Sequence, residues 1–206
     1  MRQEILAVAR DILLQEGPDG VTLNAVSSRL GMTKPALYHY FASKEALARG
    51  LITTLIDEEI GALMRAVDAV ASDDRLLGAM IRAFHAHYAG RLHAFRFVYG
   101  QSQLYAAPGL GVNADMVKGE ITPVTRRLFE RLESRLTDSA MSAQRRQGVR
   151  RLAFVAWTSA LGLVAMLGIA DATRDPLLHS DEALIDTLAE VFDRTVARGE
   201  EDRAPA

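Results

Sequence analysis

The side chains best suited to chemistry in this chain are Lys34, Tyr38, His39, Tyr40 and Lys44, crowded into eleven positions near the N-terminus. In a helix starting at Lys34-Pro35, Leu37 and Phe41 stand four apart and share one face. Lys34, Pro35, Ala36, Tyr38, His39 and Tyr40 then divide the remaining circumference. Two large aromatics and a histidine facing outward lose free energy unless a partner covers them. Tyrosine hydroxyls and lysine ammonium groups suit phosphate oxygens, and a short helix entering a major groove presents its first turn to base edges. Between Arg29 and Arg49 four basic side chains stand against the single acid Glu45, on a chain whose formal net charge is −2. DNA is the partner this pattern points to.

Other chemistries have little to work with. His85, His87 and His93 raise a metal question, but His85 and His87 are two apart and point to different sides of a helix. Neither has a carboxylate or cysteine three or four positions away. Cysteine is absent, so no disulfide framework or thiolate chemistry is available, which fits a reducing cytoplasm. No nucleotide-binding glycine loop, serine elbow or carboxylate pair stands out, so we expect neither an enzyme nor a bound cofactor or metal.

The elements that position the basic-aromatic cluster run from Val21 to Leu47. Thr22 is placed to cap a helix with Leu23, Val26 and Leu30 on its buried side, and Gly31 supplies the left-handed residue that ends it. Thr33 caps the next helix. Proline in a first turn costs little, because those amides have no helical partner. The result is a helix-turn-helix. Upstream, Ile5, Ala9, Ile12 and Leu13 recur at helical spacing over residues 2–16, and Gly17-Pro18-Asp19-Gly20 stops that helix. Its charges at Glu4, Arg10, Asp11 and Glu16 argue against a secretory signal.

Gly31, Leu37-Tyr38-His39-Tyr40-Phe41 and Ser43-Lys44-Glu45-Ala46-Leu47 together resemble the signature of the TetR family of bacterial transcriptional repressors. That signature has a turn glycine, a short recognition helix with Leu-Tyr, an aromatic or histidine pair and Phe, then Ser-Lys-Glu opening a long helix. The resemblance covers roughly the first quarter of the chain. Carried over residue by residue, it implies a DNA surface of Thr22, Thr33, Lys34, Pro35, Ala36, Tyr38, His39, Tyr40 and Lys44. Tyr38 and Lys44 would hold phosphates, and Lys34, Pro35 and Ala36 would meet base edges. A basic N-terminal arm, which some members use in the minor groove, is reduced to Arg2.

From Ser43 a long helix is expected to about Ala71, with Leu47, Leu51, Leu55, Ile60, Leu63, Met64 and Val67 on its apolar side. After Ser72-Asp73-Asp74 comes a stripe of Leu77, Met80, Ile81, Phe84 and Tyr88. Pro108, Gly109 and Gly111 mark a loop, and Asn113 to Leu136 reads as a helix that Pro123 kinks or interrupts. Residues 152–170 contain no charge. Membrane-spanning length is about 20 residues, but this run carries Trp157, Thr158 and Ser159 in its middle and is rich in Ala and Gly. We assign it to a helix buried in a core or interface. Asp171-Ala172-Thr173-Arg174-Asp175-Pro176 ends it, and a last helix spans Asp181 to Arg198. The helices at 152–170 and 181–198 hold more apolar surface than one subunit can cover, and Ala160, Gly162 and Gly168 permit close helix approach. A two-fold homodimer is expected there.

The fold expected is all-α. A three-helix DNA-binding domain (1–47) is joined by the long helix to an effector-binding and dimerisation domain (48–200), with a disordered tail at 201–206. The resemblance implies the effector domain. Its aromatics favour an apolar or aromatic small molecule among Phe84, His87, Tyr88, Tyr99, Met116 and Trp157. Trp157 to Leu163 is similar to a Trp-x-x-x-His-Gly element of one TetR-like subgroup, but Leu161 stands where the histidine would be. The function expected is a cytoplasmic, ligand-responsive repressor on a palindromic operator. The alternative is a helical dimeric protein-interaction module with a vestigial helix-turn-helix.

Overall fold

The computed structural model describes residues 1–100, 114–174 and 179–201, with side chains through residue 197. Helices and turns make up this part, with no strand among the described residues. Helix α1 spans Arg2–Glu16, α2 Leu23–Leu30, α3 Lys34–Tyr40 and α4 Lys44–Ala69. Then come α5 Leu76–Tyr88, α6 Leu92–Phe95, a short α7 Ala114–Met116, α8 Thr122–Leu136, α9 Ala143–Thr173 and α10 Asp181–Glu201. The expected loop at Pro108 to Gly111, the stop at Pro176 and the tail beyond Glu201 lie outside the described residues.

The chain divides into two compact units: residues 1–58 with 90–124, and residues 59–89 with 125–206. In the first, Ile5, Ala9, Ile12 and Leu13 of α1, together with Val26, Leu37, Phe41, Leu47 and Leu51, are essentially without solvent exposure. Burying such side chains contributes roughly 1.5–3 kcal/mol each, which suffices to fix three short helices that would not persist alone. Two wide π-type turns, Arg96–Gly100 and Val117–Ile121, also belong to this unit. The second of them resolves the problem set by Pro123. A proline cannot donate to the preceding turn and its ring crowds the carbonyl four back, and here the helix widens immediately ahead of it.

In the second unit α5 packs against α9 and α10, burying Leu76, Leu77, Met80, Ile81, Phe84 and Tyr88. Helix α9 begins nine residues ahead of the apolar run. Ser142 caps it, accepting from the Arg145 amide, and the segment up to Arg151 is polar. By length and composition α9 could cross a membrane; a third of its most apolar stretch is buried within this chain. The rest includes Phe154, Val155, Met166 and Ile169, each at least half exposed.

Candidate nucleic-acid interface

Each end of α2 and α3 is set by local chemistry. Thr22 Oγ1 accepts from the Ala25 amide at 3.0 Å, and Thr33 Oγ1 from the Ala36 amide at 3.4 Å. These bonds satisfy amides that a helix start otherwise leaves open. Gly31 closes α2 in the left-handed region, at φ 62°, where a side chain is disfavoured. Ser43 Oγ accepts from the Ala46 amide at 3.1 Å and starts α4, with Lys44 as its first residue. Ser43 also hydrogen-bonds the Glu45 carboxylate and holds its pKa below the ordinary value.

Leu37 and Phe41 root α3 in the core, with 0% and 1% of their surface exposed. With those two turned inward, Lys34, Pro35, Ala36, His39 and Lys44 are exposed, and Tyr38 has half its surface free. Tyr40 is half-buried and meets His39 edge to face at 5.5 Å. Thr33 is exposed and Thr22 half-buried. Each hydroxyl still has its proton to donate after accepting its capping bond.

Positive charge on this surface is smaller than the count of basic residues suggests. Arg29 is bound to Glu16 at 2.6 Å and to Gln15 at 3.0 Å. Arg49 is bound to Glu120 at 2.8 Å, and Thr53 donates to the second Glu120 oxygen at 3.0 Å. The Arg49 hydrogen bond is the main reason the Glu120 carboxyl is held below its ordinary pKa. Lys34 and Lys44 have no ion-pair partner among the described residues, so these two remain available to an incoming phosphate.

The residues expected around an effector are contributed by both units. Phe84, His87 and Tyr88 come together on α5, with ring centroids 5.2 Å apart for Phe84–Tyr88 and 4.8 Å for His87–Tyr88. Phe84 and Tyr88 are fully buried. Trp157 on α9 belongs to an aromatic group with Phe129 and Phe154, at 6.1 and 5.9 Å. Both sets lie in the second unit, whereas Tyr99, beside Phe95, and the buried Met116 lie in the first. Sequence reasoning missed Glu59, a carboxylate with no exposed surface that accepts from the Tyr88 hydroxyl at 2.6 Å. Its signal was its register, four residues from both Leu55 and Leu63 on the apolar side of α4. Among the described residues no group of three or more His, Cys, Asp or Glu is placed to hold a metal ion.

Residues 5–51 match the family model of the bacterial regulatory proteins, tetR family. Over 96 residues the chain is 35% identical to an uncharacterised HTH-type transcriptional regulator of Mycobacterium tuberculosis, covering 46% of this chain and 44% of that protein. The chain thus spans under half the length of the curated relatives it matches first. Among solved structures, a Rhodococcus protein of unknown function superposes with a TM-score of 0.67 at 20% identity, over 94% of both chains. FadR of Bacillus subtilis, solved in complex with stearoyl-CoA, superposes with a TM-score of 0.63 at 14% identity, over 93% of this chain and 97% of that one. At these identities the likeness is one of fold.

Proposed function

Because this chain belongs to the TetR family of bacterial transcriptional regulators, we propose that it is a ligand-responsive repressor that binds a palindromic operator as a homodimer. The observation that carries the proposal is the surface of α3 and the start of α4. Tyr38, His39, Lys34 and Lys44 are exposed, and the two lysines are unpaired among the described residues. Lys34, Tyr38 and His39 are held in register on α3 by the buried Leu37 and Phe41, and Lys44 stands at the Ser43-capped start of α4. Residues 1–47 are the reading head, and residues 48–200 carry effector binding and dimerisation. Thr22, Thr33, Tyr40, Pro35 and Ala36 complete the DNA surface, and the protein acts in the cytoplasm.

The dimer is formed by α9 and α10. Val155, Gly162, Met166 and Ile169 follow one another at intervals of seven, four and three, which makes one exposed stripe along α9. Gly162 leaves open space above its backbone for an approaching helix, and Val191 adds an exposed apolar side chain on α10. A two-fold axis through such a stripe would bury it against itself and set two reading heads for half-sites about 34 Å apart. The effector is a small apolar or aromatic molecule recognised from Phe84, His87, Tyr88 and Trp157. It releases DNA by favouring an arrangement whose heads no longer match the groove spacing.

The test is a gel shift with the DNA flanking its own gene. Lys44→Ala should weaken binding to every duplex and reduce the salt slope by about one unit, and Lys34→Ala should alter sequence preference. Binding unchanged by either substitution would remove the assignment.

A further inference from the structure

Helix α3 ends without a local cap. Phe41 follows it in extended conformation, φ −136°, so the helix stops at Tyr40 and leaves that carbonyl outside its own ladder. Arg2, from the first turn of α1, takes it: Nη1 donates to the Tyr40 carbonyl oxygen over 2.8 Å, across 38 positions of sequence. The same guanidinium lies 4.2 Å from the centroid of the Phe41 ring. One side chain therefore grips both the last turn of α3 and the residue that roots α3 in the core. A guanidinium suits both contacts, with donors in its plane and a flat cationic face for the ring, and a lysine ammonium cannot reproduce the pair. Nearby Glu120 attracts Arg2 through space, while its hydrogen bonds go to Arg49 and Thr53. The second unit uses the same device: Arg135 donates to the Val67 and Val70 carbonyls at the end of α4, each at 2.8 Å.

We propose that Arg2 is a positioning residue for DNA recognition, clamping the C-terminal end of α3 and so the direction of Tyr38 and His39, and is not itself a phosphate or minor-groove contact. This rests on the reading of α3 as the DNA-recognition element.

The experiment compares Arg2→Ala and Arg2→Lys with the unsubstituted full chain. The probe is a labelled duplex of the intergenic DNA beside its own gene, titrated across a salt series, with amide exchange followed in the DNA-free protein. Both variants should weaken binding by about threefold to tenfold, the scale of one charge-assisted hydrogen bond at an exposed position. The slope of log affinity on log salt should stay where it was. The Phe41 amide, which closes the last helical bond of α3 on the Leu37 carbonyl at 3.0 Å, should exchange faster in both. Lys44→Ala, whose slope is expected to fall by about one, calibrates the assay. A fall of about one unit in the slope for Arg2→Ala, restored by Arg2→Lys, would make Arg2 a phosphate contact and overturn the proposal. Unchanged affinity and exchange in both variants would overturn it as well. If the unsubstituted chain binds no duplex, the DNA reading fails, and the exchange of Phe41 alone then decides the clamp: faster in Arg2→Ala upholds it, unchanged refutes it.

Discussion

Replacing Gly78 by alanine tests how closely α5 packs against Asp193 of α10. In an isolated helix the change stabilises by up to about 1 kcal/mol, because alanine is the better helix former. Here a Cβ at residue 78 would lie 2.7 Å from Asp193 Cγ, closer than non-bonded atoms can approach. Asp193, on α10, sits there because the start of α5 has no cap of its own: Arg75 precedes it without a side-chain bond, and Asp193 Oδ1 accepts from the Gly78 amide at 2.7 Å. Displacing the carboxylate would lose a charge-assisted hydrogen bond, roughly 1.5–3 kcal/mol. Forcing α5 and α10 apart would cost about 1–3 kcal/mol more. Net of the helix preference, Gly78→Ala should destabilise by about 2–4 kcal/mol, or roughly 5–15 °C in Tm for a chain of this length.

The check is a double-mutant cycle by thermal or urea unfolding. In an Asp193→Ala background the added methyl meets no carboxylate, so Gly78→Ala should there become neutral or stabilising. An equal loss in both backgrounds, or a gain in the unsubstituted protein, would refute the reasoning. The same carboxyl has a pH signature. Burial raises the Asp193 pKa above its ordinary value, outweighing the Gly78 amide and Arg82. Its contribution to stability is therefore full below the unfolded pKa and is lost as pH rises through the raised folded value. Asp193→Asn should flatten this loss between the ordinary aspartate range and neutrality.

Three further outcomes are expected. Glu120 has its pKa lowered, chiefly by Arg49, so its contribution is present above the unfolded value and lost as pH falls through the folded one. Glu120→Gln should cost under about 1 kcal/mol at pH 7, given its exposure, and should remove that acid limb in a Tm–pH profile. Met166→Glu with Ile169→Arg, both more than half exposed, should leave each chain folded by circular dichroism and yield monomers in sedimentation; a persistent dimer would place the interface elsewhere. An effector that quenches Trp157 should release DNA over the same concentration range, and Tyr88→Trp should shift both together; release untouched by substitutions at Phe84, Tyr88 and Trp157 would locate the effector elsewhere.

What was legible in the sequence follows from how far apart the interacting groups lie. The caps of α2, α3, α4, α9 and α10 are Thr22, Thr33, Ser43, Ser142 and Ser180, each bonding an amide three positions on. A local rule finds such caps. Three other helix ends are closed by Arg2, Arg135 and Asp193 from 38, 65 to 68, and 115 positions away, and no period or propensity connects those pairs. The apolar pattern located the long apolar run but not the polar segment from Ala143 to Arg151 ahead of it, because nothing apolar marks that start. Buried Glu59 was hidden for the opposite reason: a charged residue in a hydrophobic register reads as an interruption until its partner Tyr88 is seen beside it.

The distinction between local and distant partners bears directly on the candidate site. Counting charges along residues 29–49 treats every basic side chain as available, whereas folding commits Arg29 to Glu16 and Arg49 to Glu120. An arginine's fork lends itself to such internal pairing, and the two lysines keep their ammonium groups in solvent. The basic side chains of residues 29–49 thus separate by type, with the arginines in ion pairs and the lysines exposed to solvent. Arg29→Lys and Arg49→Lys would keep the formal charge while weakening the internal forks. Lys34→Arg and Lys44→Arg would keep the charge at the surface. If charge alone governed the site, all four substitutions would leave DNA affinity alike. The pairing geometry instead predicts that the first two lower thermal stability, and that the second two change affinity with the melting temperature unmoved.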